Sequence, residues 1–424
     1  MIYTPCSSMH MTFLVLTAGL AAAAPSFNRR GNGRHPRPAV TNIQVGPRPY
    51  YLVDAMADSP LKEKLQSCSE QHIKHAPAFS ISHRGGPLDF PEHSREGMLA
   101  ATRMGAGIVE CDVTFTADRH LVCRHSQCDL HTTTNILTIP SLAAKCSVPF
   151  QSAANGKSAT AKCCTSDITL AEFKSLCAKM DGYNASATTP EDYQHGTPAW
   201  RTDLYATCGT PMEHNEYIRL VDSLGLQFTP ELKTPQVVMP FVGNYTQAMY
   251  AQQLIDDYKA HGIHPSRVWP QSSLPEDIFY WLQHDPAFGK QAIYLDERVD
   301  NAAGYQQAVD GMADLAKKGV KIMAPPIFAL LNATADGEIV PSAYAVAAKK
   351  AGLEIITWSL ERSGPLKAAA ANGEYYIQSV KSTITGDGDM YRIVDALARK
   401  VGVKGIFSDW PATVTYYAAC LKLA

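Results

Sequence analysis

Eight short β-like runs recur along the chain, and helical segments separate most of them. They read AFSISH (78–83), GIVECDVT (107–114), LQFTPELK (226–233), RVWPQSS (267–273), QAIYLD (291–296), VKIMAPPI (320–327), LEIITWSL (353–360) and VKGIFSD (403–409). The segments between them include YAQQLIDDYKAHG, GYQQAVDGMADLAKKG, PSAYAVAAKKAG and MYRIVDALARKVG. Several end in Gly after Lys or His, which marks a helix C-terminus. Eight strands alternating with helices predict a (β/α)8 TIM barrel. A doubly wound open sheet is the alternative, and no Gly-x-Gly-x-x-Gly turn supports it.

The rhythm breaks at 126–225. So long a stretch within a compact domain is expected to be an ordered insertion between the second and third strands. Six of the chain's 11 cysteines crowd into it: Cys128, Cys146, Cys163, Cys164, Cys177 and Cys208. Their spacing fits no zinc pattern, since no C-x-x-C pair has matching histidines. A disulfide-stapled cap is the expectation, with adjacent Cys163 and Cys164 taking different partners. The barrel motifs themselves are expected to need no disulfide.

The N-terminus gives an address. MTFLVLTAGLAAAAP is a short apolar run closing on an Ala-x-Ala pattern before Pro25, and it is too short to span a bilayer. It predicts a signal peptide over 1–24, then a leader and extension over 25–77 that opens with Arg29, Arg30, Arg34 and Arg37. The barrel then covers 78–424, interrupted by 126–225. Removing the leader takes Cys6 with it and leaves an even number of cysteines, as a secreted chain would have. Three sequons, at Asn184, Asn244 and Asn332, are compatible with glycosylation. A net charge of −2 gives no reason to expect a nucleic-acid or membrane-surface partner, and no later run is long enough for stable membrane insertion.

Barrel enzymes build their sites where strands run into the following loops. The odd polar residues fall there. His83 and Arg84 end the first strand in a Gly-loosened turn, HRGG. Glu110 and Asp112 stand two apart on the second strand and so share a face, which turns Cys111 outward. Glu231 and Lys233 repeat that spacing on the third strand. Trp358 lies on the seventh, and Asp409 ends the eighth. Any one of these has a bland reading as a solvated end or a core side chain. Two charged pairs aimed into one barrel mouth, however, would repel or desolvate unless something binds there. Three carboxylates, Glu110, Asp112 and Glu231, suit Ca²⁺ or Mg²⁺. Arg84 and Lys233 suit an anion, most simply phosphate. After a turn at TADRH, the run LVCRH returns to the same mouth and delivers His125 opposite His83, with Arg124 facing away. Two histidines beside a metal and an anion are the parts of acid–base phosphoryl transfer. His131 is left outside the site.

These motifs resemble the glycerophosphodiester phosphodiesterase family. Its His-Arg-Gly, Pro-Glu-Asn-Thr, Glu-x-Asp and hydrophobic strand ending in His correspond to HRGG, PEHS, ECD and LVCRH, in that order. Later features match FTPELK, VWPQSS, ITWSL and FSDWP. The resemblance implies His83 and His125 as the acid–base pair and Glu110, Asp112 and Glu231 as metal ligands. It also implies Arg84 and Lys233 on the phosphate of a small phosphodiester. Trp358 would line the pocket. Two departures stand out: His93 and Ser94 replace the usual Asn and Thr, and Ser126 replaces the usual Asp after the second His. The PEHS segment is expected to position Arg84 and its loop. The nearest rival is a sphingomyelinase D-like phospholipase, which typically lacks so large an insertion. A non-catalytic phosphodiester-binding protein on the same barrel is the rival from another class. A serine hydrolase finds no Gly-x-Ser-x-Gly here.

Overall fold

The computed structural model describes residues 40–423. The signal-peptide reading, the basic stretch ending at Arg37, and Cys6 lie outside the described residues.

Thirteen strands are present among these residues. In chain order they are β1 (Ser80–Ser82), β2 (Ile108–Phe115), β3 (Leu121–Cys123), β4 (Val148–Gln151), β5 (Thr160–Lys162), β6 (Gln227–Leu232) and β7 (Gln271–Ser272). They continue with β8 (Ile293–Leu295), β9 (Ile322–Ala324), β10 (Leu331–Ala333), β11 (Ile339–Pro341), β12 (Glu354–Leu360) and β13 (Gly405–Ser408). Eight of them pair in parallel in the order β1-β13-β12-β9-β8-β7-β6-β2, and β1 also pairs with β2. The sheet therefore closes on itself, and each of the eight sequence runs supplies one barrel strand. β3 adds to β2 antiparallel, while β4–β5 and β10–β11 are separate hairpins.

Alternation sorts the strand residues into two layers. Ile81, Ile108, Ile293, Leu295, Ile322, Ile356 and Phe407 fill the barrel interior. Val109, Cys111, Val113, Phe228, Met323 and Ile355 face the surrounding helices. Those helices begin at side-chain caps: Thr246, Asn301 and Ser342 each accept a hydrogen bond from the backbone three residues on.

The segment between β3 and β6 has a core of its own, built on Leu130, Ile136, Leu137, Ile168, Phe173 and Tyr193. Three disulfides staple it: Cys128–Cys164, Cys146–Cys163 and Cys177–Cys208. Adjacent Cys163 and Cys164 thus have different partners. The helix His214–Ser223 that precedes β6 packs instead with the barrel, where the Tyr217 hydroxyl donates to Val109 O at 2.6 Å.

One expectation is corrected. The barrel carries two disulfides. Cys68–Cys420 joins the segment before β1 to the last helix, Pro411–Leu421. Cys111–Cys123 joins β2 to β3 inside the site motif itself. Outward-facing residues on neighbouring strands meet in the outer layer, so the alternation that turns Cys111 away from the mouth brings it to Cys123.

Candidate active site

β1 ends at Ser82, and the chain turns at once. The Ser82 hydroxyl donates to Gly85 O at 2.8 Å and accepts from Gly85 N at 3.1 Å. Arg84 takes φ 58° and Gly85 takes φ 100°, a region most side chains avoid. A Cβ at Gly85 would also lie 2.9 Å from the Gly97 carbonyl carbon, so glycine is required there. The turn aims Arg84 N at Glu110 Oε2, 2.8 Å away. This is why a buried strand runs into His-Arg-Gly-Gly: the backbone itself is part of the site.

Strand register sets the carboxylates. Asp112 on β2 stands beside Glu231 on β6, and Glu231 stands beside Gln271 on β7. One oxygen from each of Glu110, Asp112 and Glu231 falls within 4.8 Å of the others, and all three residues are buried. Burial, then the charges of Asp112 and Glu231, push the Glu110 carboxyl well above its usual range. Burial likewise pushes Glu231 up to about 8, against the pull of Lys233. Burial would raise Asp112 too, but His93 and Lys233 outweigh it and hold Asp112 low. Asp112 Oδ1 is buried with no hydrogen-bond partner, while Gln271 Nε2 donates to Glu110 Oε1 at 3.1 Å. An orphan carboxylate oxygen within an all-oxygen donor set fits a hard divalent cation.

His83 is fixed from behind. Its Nδ1 donates to Asp409 Oδ1 at the end of β13, and Ser359 Oγ lies 2.9 Å from the same nitrogen. Burial works against the Asp409 charge, but Arg362 and His83 overcome it and hold the carboxyl at about 2. Burial, with Arg84, brings His83 down to about 4. His125 follows β3 and lines the same pocket as His83, Arg84, Glu110, Glu231 and Lys233. Burial, followed by Arg84 and Lys233, keeps the His125 imidazole well below its usual value. Arg124 turns the other way, donating to the backbone carbonyls of Glu92 and Cys123.

The cations are held in a network. Arg84 Nη1 lies 3.3 Å from both Glu92 carboxylate oxygens, and its buried Nε has no hydrogen-bond partner. Glu92 also meets Arg362 at 2.6 Å and Arg201, from the disulfide-rich segment, at 3.8 Å. Lys233 Nζ lies 2.6 Å from Glu231 Oε1. Trp358 walls the pocket, its indole N–H donating to Ala324 O at 2.8 Å. His131 sits elsewhere, accepting the Cys163 N–H.

The structure thus brings together every residue singled out from the sequence and adds several. His93 Nε2 donates to Asp112 Oδ2 at 2.8 Å, so the PEHS segment reaches the carboxylate cluster directly as well as holding Arg84. The signal was His93 itself, standing where the resemblance led one to expect Asn. Asp409 was visible as a strand end, but its tie to His83 was not. Ser359 stood inside ITWSL without being singled out, and Arg362 lay outside every quoted motif.

A family model described as the glycerophosphoryl diester phosphodiesterase family matches residues 83–263, which bracket both histidines, the three carboxylates, Arg84 and Lys233. The domain that carries these motifs is that of the glycerophosphodiester phosphodiesterase family. The protein is an enzyme. A protein of Arthroderma benhamiae named "Extracellular protein" is 55% identical over 245 residues, covering 58% of this chain and 100% of the relative. A probable glycerophosphodiester phosphodiesterase 1 of Mycobacterium tuberculosis is 45% identical over 49 residues, 12% of this chain and 18% of the relative. The fold is similar to a putative glycerophosphoryl diester phosphodiesterase from Silicibacter pomeroyi, with TM-score 0.52 and 17% identity over 81% of this chain and 92% of that one. Neither rival reading of this phosphodiesterase is favoured by these matches.

Proposed function

We propose that this phosphodiesterase is a secreted, metal-dependent enzyme that hydrolyses glycerophosphodiesters such as glycerophosphocholine to an alcohol and glycerol 3-phosphate. One observation carries the reading: two histidines, two cations, Glu110 and Glu231 line a single pocket at the barrel mouth, and Asp112 is buried in the same carboxylate cluster.

Glu110, Asp112 and Glu231 would hold a divalent cation, Ca²⁺ or Mg²⁺. When bound, such an ion polarises a phosphoryl oxygen and lowers the pKa of an attacking hydroxyl. Lys233 and the unsatisfied Arg84 Nε bind the phosphate oxygens and fix the phosphorus between the histidines. Asp409 keeps a proton on His83 Nδ1, which leaves Nε2 to exchange a proton at the pocket. One histidine removes a proton from the attacking water as its oxygen bonds to phosphorus, and the other protonates the departing alcohol oxygen as its bond to phosphorus breaks. Trp358 closes one side of the pocket. The ligand is a small phosphodiester, and no helix among the described residues is long and apolar enough to cross a membrane. Secretion is supported by five disulfides among the described residues and by the name of the Arthroderma relative.

The test is a screen of glycerophosphodiesters with and without chelator, following released glycerol phosphate. Turnover is expected to vanish on chelation and return with Ca²⁺ or Mg²⁺. Full turnover in protein shown metal-free by elemental analysis removes the metal. Absence of product from every diester removes the substrate class.

A further inference from the structure

The disulfide-stapled segment between β3 and β6 touches two loops of the mouth, the one after β1 that carries His83 and the one after β12 that carries Arg362. At the first, Arg201 Nε donates to Pro87 O at 2.8 Å and Thr202 N donates to Leu88 O at 3.0 Å. At the second, the Trp200 ring lies against Gly364, where a Cβ would come within 2.7 Å of the indole. Gly364 also takes φ 82°, so a glycine is what lets the segment close on this loop.

Asp181 is the stapled segment's contact with Arg362. Its Oδ2 lies 3.5 Å from Arg362 Nη2, and its carboxylate also pairs with Arg201. The backbone on either side of Asp181 is fixed, because Lys179 Nζ donates to Met180 O at 2.7 Å and to Gly182 O at 2.9 Å. The Cys177–Cys208 disulfide closes the loop that holds both Asp181 and Arg201. Arg362 Nη1 in turn donates to Asp409 Oδ2 at 3.0 Å and lies 2.6 Å from Glu92 Oε1. Asp409 uses its other oxygen on His83 Nδ1. A run of ion pairs therefore leads from the stapled segment to an imidazole on a different loop. A solvated pair would count for little, but Glu92 and Asp409 are buried, and a buried pair that loses one partner leaves its charge uncompensated.

We infer that Asp181 is a positioning residue for His83: it fixes the Arg362 guanidinium, and through it the carboxylate that orients the imidazole. This rests on the phosphodiesterase reading above and adds to it a residue outside every barrel motif. Arg362 serves three carboxylates. With Nη2 held by Asp181, Nη1 is left to bridge Glu92 and Asp409, and Asp409 has both oxygens tied. Without Asp181 the guanidinium is free to turn toward Glu92, and Asp409 loses the donor that stops it rotating about its link to His83.

Asp181→Asn keeps the shape and removes the charge. It is expected to lower kcat on a hydrolysed glycerophosphodiester by roughly tenfold, the scale on which such networks couple groups, while KM stays nearly unchanged. Asp181→Glu, which keeps the charge, should recover part of the loss. Arg362→Gln should lower kcat further, and in that background Asp181→Asn should cost nothing more. Additive losses overturn the route through Arg362. Isotope-labelled histidine reads the same coupling without turnover. The His83 Nδ1–H resonance, assigned by its loss in His83→Ala, should exchange with water faster in Asp181→Asn than in wild type. Equal exchange rates overturn the positioning role, whether or not any diester is hydrolysed. Faster exchange in a protein that hydrolyses no diester keeps that role and overturns the phosphodiesterase reading.

Discussion

His93 holds Asp112. The imidazole Nε2 lies 2.8 Å from Oδ2, both side chains are buried, and the His93 backbone N–H donates to Arg84 O at 3.0 Å. One carboxylate oxygen is thereby committed to the imidazole, and Oδ1 is left for the cluster it shares with Glu110 and Glu231. Partners of this kind orient a ligand and are usually felt in metal affinity. His93→Ala is expected to weaken Ca²⁺ or Mg²⁺ binding by roughly 10–100-fold, measured by calorimetry. His93→Gln, whose amide can donate to the same oxygen, should recover part of the loss. An unchanged dissociation constant in His93→Ala would contradict the role.

His83→Ala and His125→Ala should each lower turnover by roughly 10²-fold or more, with the fold retained by circular dichroism. Asp409 acts through His83 as a positioning residue. Its negative charge raises the His83 pKa, so Asp409→Asn should move to lower pH whichever limb of the pH–kcat/KM profile His83 sets, the acid limb if it is the base and the alkaline limb if it is the acid. A profile that keeps its shape and only falls in height would show that Asp409 is merely structural.

His131 makes acid stability testable away from the site. Burial lowers its pKa from 6.5 to about 4, and Nδ1 must be unprotonated to accept the Cys163 N–H. The unfolded chain takes up that proton near pH 6.5, whereas the folded chain refuses it until about 4. The contribution is therefore intact above 6.5 and is lost as pH falls toward 4. Thermal midpoints of wild type should drop faster across that window than those of His131→Gln. Parallel curves would show that His131 does not govern this loss.

Cys111 lies between Glu110 and Asp112, and Cys123 lies two residues before His125, so their disulfide clamps both halves of the proposed site. Replacing both by Ser is expected to cost about 3 kcal/mol in denaturant unfolding, as closure of a short loop predicts. Metal affinity should fall as well, because the β2 backbone between Glu110 and Asp112 loses its anchor at Cys111. Wild-type metal affinity in the folded double variant would mean that the clamp serves stability alone.

The barrel was legible because its strands are spaced by amphipathic helices, and because alternation forces Glu110 and Asp112 to one face. The same period identified Glu231 with Lys233, and the structure sets Asp112 beside Glu231 in register. What the sequence hid was contact across barrel closure. His83 and Asp409 are 326 residues apart, and Ser359 reaches the same imidazole from β12. No local periodicity reports such meetings. Arg362 and Arg201 were invisible for a related reason: each converges on Glu92 from a loop with no strand pattern to aim it. The Cys111–Cys123 bond was nearer to hand. An outward cysteine on one strand and another on its hairpin partner are natural candidates to pair, yet only the crowded cysteines of 126–225 drew a disulfide reading.

The pairing of β1 with both β2 and β13 has a consequence in time. Both histidines, all three carboxylates, Arg84 and Lys233 leave the ribosome before β7, but the partner that fixes His83 emerges only after five further barrel strands. A nascent chain halted before Asp409 holds every reactive group and lacks the wall that orients the first of them. Orientation of His83 therefore waits for β13, and a chain cut before Asp409 would lack the carboxylate that holds the imidazole.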